Sequence, residues 1–254
     1  MRLAKKLRKN KLIYYFICLI VDVYSLFFSF IENFFLKKRT SEYHFQKTGL
    51  FKFNFEEDLT DILNLSVQSK DNEYQSTRII SQRDIKKVLT LIFNKNTREK
   101  ITQITGFKYS IDHFQILENI HSLDANYKRS PHFDKSFSRN MLKIFIPINI
   151  DFQNGPLKVW EKFLFLEIKN KNKFNEYDPT LLLGKGNYIY GFNPNICFHQ
   201  LGNPDLGFQS QQIMIQLNPS LYWCFKQDLY KFQEFGESKF TSLSFLFKKT
   251  IKLI

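Results

Sequence analysis

Two residues able to grip a metal stand two apart in the stretch "SPHFDKSFSRNMLKIFIPINI": His132 and Asp134. On an extended segment the side chains of residues i and i+2 point to the same side. An imidazole and a carboxylate would therefore reach one ion together. The pair alone settles nothing in a chain with five histidines and 24 acidic residues, because a lone strand histidine also serves as a hydrogen-bonded core or surface group. A rival pair, His121 and Asp124, has a three-residue spacing that does not put both side chains on one face of a strand. His44 reads as a surface histidine, and His113 lies beside the first predicted strand.

The setting downstream carries more information. After His132-Phe133-Asp134 come Asn154-Gly155-Pro156-Leu157, then Gly186-Asn187-Tyr188-Ile189-Tyr190, then His199-Gln200-Leu201-Gly202-Asn203. In type and order this resembles the phytanoyl-CoA dioxygenase family, within the wider group of Fe(II)- and 2-oxoglutarate-dependent oxygenases. The family pattern is H-x-D, an Asn-Gly turn with Pro-Leu, and a Gly-led strand ending in a lone histidine followed by a Gly/Asn turn. The resemblance spans residues 106–220. It implies a double-stranded β-helix, jelly-roll or cupin-like, with His132, Asp134 and His199 as the ligands of Fe(II) at one mouth of the barrel. It also implies 2-oxoglutarate as co-substrate and hydroxylation of a small or lipid-like molecule by hydrogen abstraction and rebound. Two imidazoles and one carboxylate on one face of an ion leave its other positions open, which is the arrangement of non-haem Fe(II) oxygenases. Phe133, Phe145 and Phe198 would suit a dry shell around such a site, and equally a plain core. Cys197 reads as a small buried apolar residue.

The chain departs from the family where the co-substrate is held. The arginine that pairs with the distal carboxylate of 2-oxoglutarate is absent from "GFQSQQIMIQL", which offers Gln209, Gln211 and Gln212 instead. A glutamine donates a hydrogen bond without charge, and charge-assisted bonds are roughly twice as strong. Lys143 and Lys158 are the candidate replacements, with Gln211 as a neutral contact; each lysine is also consistent with a solvated strand position. The family's Pro-Gly-Ser-His run after "GPL" is replaced by "KVWEKFLFLEI". These departures favour a rival from another class, a non-catalytic barrel acting as a membrane-proximal interaction or metal-binding module.

The elements needed to position these residues are legible from about Gly106 onward. Short apolar runs, "FQILENI", "MLKIFIPINI", "GPLKVW", "FLFLEI", "NYIYGF" and "QQIMIQL", alternate with turn signals at "DFQNG", "NKNKFNEYDP", "GKG" and "FNPN". They predict a mainly β core over 106–220 with helices kept to the N-terminal side. Residues 41–105 read as a helical segment packing on that core, with helices in "FEEDLTDILNL" and in "SQRDIKKVLTLIFNKNTREKITQI". Ser81 is the expected N-cap of the second. Residues 221–254 read as a helical, basic tail, with Leu221, Phe225, Leu229 and Phe232 on one helical face and an apolar, lysine-bearing stretch from Ser242 to Ile254.

Residues 1–40 form a basic, amphipathic segment. Arg2, Lys5, Lys6, Arg8, Lys9 and Lys11 precede the apolar run Leu12–Leu36, and Lys37, Lys38 and Arg39 follow it. An acid at mid-span costs roughly 2.5–3.5 kcal/mol on insertion scales, so Asp22 argues against a membrane crossing. Asp22, Ser25, Ser29, Glu32 and Asn33 share one narrow helical stripe. That is a helix with one polar edge and a broad apolar surface, suited either to a membrane interface or to packing on its own domain or on a partner subunit. The formal net charge of +13 fits an anionic partner: an acidic membrane surface or an anionic substrate. No nucleic acid is expected, since no nucleic-acid-binding signature stands out. Three scattered cysteines make no disulfide framework or zinc motif and fit a reducing compartment. The expected location is cytoplasmic, peripheral at the inner face of a membrane.

Overall fold

The strand Leu142–Asn149, "LKIFIPIN", shows how the sequence builds the architecture. Leu142, Ile144, Ile146 and Ile148 are turned to one face, Lys143, Phe145 and Pro147 to the other, and both faces are covered. A strand buried on both sides must lie inside a layered structure. In the computed structural model, which describes residues 9–35, 40–57, 59–65, 67–68, 75–123, 130–134, 136, 138–164, 176–226, 229 and 250–253, this strand is near the middle of the larger of two sheets.

The elements run α1 (Lys11–Phe35), α2 (Thr40–Thr48), β1 (Leu50–Asn54), a 3-10 turn (Thr60–Leu65), β2 (Val67–Gln68), β3 (Gln75–Ile79), α3 (Gln82–Ile92), α4 (Lys95–Thr105), β4 (Lys108–Ile120), β5 (Leu142–Asn149), β6 (Lys158–Trp160), β7 (Thr180–Leu181), β8 (Tyr188–Phe192), β9 (Phe198–Gln200), β10 (Gln209–Ser220), β11 (Cys224–Lys226) and β12 (Thr250–Lys252). The major sheet has the order β1-β8-β5-β10-β4-β11-β12, with β3 on the far half of β4 and β2 on β3. The minor sheet has the order β7-β6-β9. All pairings are antiparallel except β11 on β4. This is the expected mainly β, double-stranded β-helix core.

Two apolar layers flank the major sheet. On its outer face Ile85, Val88, Leu89 and Ile92 of α3 and Ile101 of α4 pack on Phe114, Ile116, Ile144, Ile146, Ile213 and Ile215. On its inner face, Phe145, Tyr190, Phe192 and Met214 meet Leu157, Val159, Leu182, Cys197 and Leu201 of the minor-sheet side. The helical run expected from Ser81 to Ile104 is two helices. Ser81 caps α3 through Asp84 N–H, 3.1 Å, and Asn94 turns out of the helical path to cap α4 through Thr97 N–H, 3.0 Å. An asparagine side chain that can satisfy free helix-start donors competes with helix continuation.

Other elements differ from the sequence reading. Residues 41–105 also supply β1, β2 and β3, and "FEEDLTDILNL" forms only a 3-10 turn. Of "FLFLEI", the 162–164 stretch is 3-10 and the rest lies outside the described residues. At the C-terminal end, Cys224–Lys226 and Thr250–Lys252 are paired strands, so the expected helix does not begin before residue 227; Phe232 and most of Ser242–Ile254 lie outside the described residues.

The helix α1 is docked on its own domain through a face that includes Asp22. Tyr14, Cys18, Val21 and Asp22 face inward, with Asp22 8% exposed. Asp22 Oδ1 accepts the Arg139 N–H at 2.9 Å and Oδ2 pairs with the Arg139 guanidinium at 3.1 Å. Burial pushes the Asp22 carboxyl up from its ordinary pKa, and the Arg139 amide and guanidinium oppose that. The side chains of Ser25, Ser29, Glu32 and Asn33 lie outside those described. Among the described residues no helix is long and apolar enough to cross a membrane.

Candidate metal centre

His132 and His199 are brought together by backbone pairing. The two residues exchange both hydrogen bonds, His132 N–H to His199 O and His199 N–H to His132 O, each 3.1 Å. His132 thus continues the minor sheet beyond β9, directly opposite His199. Such partners lie side by side on one face, and the ring centroids are 4.4 Å apart. Two residues on, Asp134 N–H donates to Pro194 O, 2.8 Å, which fixes the strand's exit. One ligand atom from each of His132, Asp134 and His199 can be chosen so that all lie within 4.8 Å of one another. His199 is buried, while His132 and Asp134 sit at the rim, partly open to solvent.

The donor set fits a divalent transition metal. His132 Nδ1 lies 2.8 Å from Ser130 O, and His199 Nδ1 lies 3.3 Å from Cys197 O. A carbonyl only accepts, so in each neutral ring Nδ1 carries the proton and Nε2 presents its lone pair. This is the outer contact that metal-binding histidines commonly make. His199 Nε2 then faces Asp134 Oδ1 at 3.6 Å, lone pair toward carboxylate, an arrangement that a cation between them relieves. Burial lowers the His199 pKa, and Lys143 and His132 add to that while Asp134 opposes it. The ring is kept neutral, as a ligand must be. Burial alone would push the Asp134 carboxyl up, but the Lys143 ammonium beside it outweighs that and holds it well below the usual carboxylate range.

Lys143 is the feature the sequence left open between site and surface. It stands on β5, on the inner face with Phe145, and its Nζ is 2.6 Å from Asp134 Oδ2. The other two co-substrate candidates are placed elsewhere. Lys158 follows the strand alternation away from Val159, which pairs with His199 in the inner layer, and so lies on the outer side of the minor sheet. Gln211 donates to Glu118 Oε1 at 3.2 Å on the outer face of the major sheet, where Glu118 also pairs with Arg78. Its neighbour Gln212 faces inward with Met214; it is 2% exposed, and its Nε2 has no hydrogen-bond partner among the described residues. Gln212 was one of three glutamines in the sequence reading, and only strand parity separates it from Gln211.

Of the three phenylalanines expected around the site, Phe145 lies in the inner layer. Phe133 and Phe198 stack on each other, centroids 3.7 Å apart, on the outer side with Trp160. Each alternates with a histidine along its strand, so it cannot share the histidine's face. Phe192 takes the place next to the ligand, its ring 5.2 Å from that of His199. Cys197 is fully buried, its thiol pushed up to about 12 mainly by burial. His121 bonds to Pro204 O through Nδ1, 2.8 Å, and Asp124 lies outside the described residues.

The Asn-Gly and Gly-Asn turns meet each other. A Cβ on Gly155, whose φ is 66°, would lie 2.4 Å from the Asn203 carbonyl carbon, and one on Gly202 would lie 2.4 Å from Pro156 O. Only glycine admits such backbone contact. Asn154 ties the turn to the major sheet, donating to Gln209 O at 2.7 Å and accepting from Asp151 N–H at 2.9 Å. The chain after His199 is thereby anchored against the entry to β6.

No family model matches the sequence, and no curated protein matches it. Solved structures resemble it in fold. SnoN, the non-haem α-ketoglutarate-dependent epimerase from nogalamycin biosynthesis, superposes with a TM-score of 0.50 at 9% identity over 70% of this chain and 81% of its own. SnoN in complex with Fe3+, α-ketoglutarate and nogalamycin RO gives 0.53 at 9% identity over 70% and 82%. HygX from Streptomyces hygroscopicus, with nickel, 2-oxoglutarate and hygromycin B bound, gives 0.49 at 9% identity over 74% and 89%. At such identity the SnoN likeness establishes a shared fold.

Proposed function

We propose that this chain is an Fe(II)- and 2-oxoglutarate-dependent oxygenase acting on a C–H bond of a small or lipid-like molecule, in a branch akin to the phytanoyl-CoA dioxygenases. The observation that carries the reading is the meeting of His132, Asp134 and His199 at one mouth of the barrel, with both Nδ1 atoms turned to backbone carbonyls. When bound, iron and 2-oxoglutarate would supply the electrons that activate dioxygen, the oxidant of the C–H bond, which is chemistry that no protein side chain has. His132 and His199 would hold the metal through Nε2, and Asp134 through its carboxylate, leaving positions open toward the barrel interior.

Lys143 supplies a positive charge in place of the absent arginine, and Gln212 offers the inner face an unsatisfied amide donor. Together they suit a dicarboxylate: one charge-assisted bond and one neutral bond. Phe145, Phe192 and Met214 keep the interior dry. The three cysteines, scattered in the sequence and all buried, fit residence in a reducing compartment, the cytoplasm.

The Lys143–Asp134 contact also favours a second reading, a metal-free or metal-storing interaction module in which the ammonium neutralises the carboxylate for good. Anaerobic protein loaded with Fe(II) and then 2-oxoglutarate separates the two. A visible charge-transfer band from the chelated keto acid, absent in His132→Ala and weakened in Lys143→Met, is the expected result. Bound iron with no band on adding 2-oxoglutarate would leave the module reading standing.

A further inference from the structure

The orientation of α1 inverts the usual arrangement of a surface helix. An amphipathic helix ordinarily buries its apolar stripe against its domain. Here Asp22, clamped by Arg139, faces the domain, and Leu12, Phe16, Leu19, Ile20 and Val23 face solvent, each 50–83% exposed. These five recur at helical spacing and so form one continuous strip. Exposed strips of this size mark binding surfaces.

We propose that this strip seats the protein on an anionic phospholipid bilayer, with α1 lying in the plane of the interface. Charge complementarity chooses this occupant. Six lysines and arginines stand in the first eleven residues with no acid among them, and Lys37, Lys38 and Arg39 follow the helix. A second copy of the chain would bring these like-charged flanks together in either orientation. An anionic surface attracts both flanks while its acyl layer accepts the apolar strip. Asp22 does not meet lipid, because Arg139 holds it inside.

The helix is also fastened to the loop that leaves the candidate metal centre. Tyr14 Oη donates to Ser136 O at 2.8 Å and Cys18 Sγ to the same oxygen at 3.9 Å, two residues beyond Asp134. A bilayer under α1 therefore fixes the mouth of the site near the membrane, where an amphiphilic substrate would enter. That last step rests on the oxygenase reading. The docking does not, and its test needs no iron.

Flotation of the full chain with phosphatidylcholine vesicles, with and without phosphatidylserine, reads the docking directly. Retention on the anionic vesicles should exceed that on neutral ones by about tenfold or more, and Leu19→Glu and Val23→Glu should each remove most of it. Both positions are exposed, so thermal unfolding should match wild type. As a second reading, an environment-sensitive fluorophore on Leu19→Cys should shift to the blue on anionic vesicles. Failure of folded wild type to float would overturn the proposal. So would retention unchanged by both substitutions, which would reduce the binding to the basic flanks alone. Absence of a blue shift from the label would overturn it too. A concentration-dependent dimer in light scattering, abolished by Leu19→Glu and without vesicle binding, would assign the strip to a second copy.

Discussion

At the residue scale, the site depends on three donors whose free electron pairs converge. Replacing any one should be costly for metal, and replacing His132, at the rim, cheap for fold. His132→Ala and Asp134→Ala should each lower Fe(II) or Ni(II) affinity by at least the roughly 10–100-fold typical of even an outer-sphere partner, with thermal unfolding of the metal-free protein nearly unchanged in His132→Ala and lowered in Asp134→Ala, which leaves the Lys143 ammonium unpaired. Isothermal titration against the two variants checks this. Equal affinity in all three proteins would mean the metal binds elsewhere. The pH response follows from the two shifted groups. His199 is pushed below its ordinary value of about 6.5, so as pH falls under that value the unfolded chain takes up a proton the folded one refuses, and stability drops. Asp134 is held below about 3.9, so its stabilisation is complete above that and is lost only in stronger acid. The urea midpoint of metal-free wild type should therefore decline below about pH 6.5 more steeply than that of His199→Gln, and identical slopes would contradict a buried neutral imidazole.

At the scale of elements, two glycine turns set where His199 stands. Gly202→Ala places a methyl group in contact with the Pro156 carbonyl, which must move; overpacking of this kind costs about 1–3 kcal/mol. Because the turn follows His199 by three residues, Gly202→Ala should reduce both stability and metal affinity. Gly207→Ala, whose Cβ meets open space but whose φ is 85°, should cost stability alone. Urea unfolding and metal titration of the two variants read the difference. The turns were legible in the sequence, as were β5, β8 and β10 and the His–x–Asp pair, because alternation and turn chemistry are local signals. The strands β1 to β3 were not. "LFKFN" is short, and its place as the edge strand beside β8 depends on a partner far along the chain. Parity explains why two of the candidate residues stand away from the three converging side chains. Lys158 and Gln211 lie on the right strands, but each is one residue away from a position that faces inward, and a single-residue step reverses the face. The inward turn of Asp22 on α1 was equally beyond the sequence, since Arg139 is over a hundred residues away.

At the scale of the molecule, the major sheet separates two cores with different tasks. Its outer face, filled by isoleucines against α3 and α4, touches none of the three ligands. Its inner face is the wall of the site. Stability and metal binding should therefore respond separately to the same kind of lesion. Ile215→Ala removes a fully buried side chain from the outer core and should cost about 2–5 kcal/mol, while the folded fraction keeps wild-type metal affinity. Phe192→Ala, also fully buried, should cost about 3–5 kcal/mol and in addition weaken metal binding, because the ring that packs beside His199 is gone and the imidazole gains freedom to turn. Urea unfolding gives the first quantity and metal titration at low urea the second. If both variants weakened metal binding to the same degree, the sheet would be transmitting strain from its outer face, and the site could not be treated as a unit carried on a separate scaffold. If neither did, the backbone pairing of His132 with His199 would be holding the ligands without help from the packing around them.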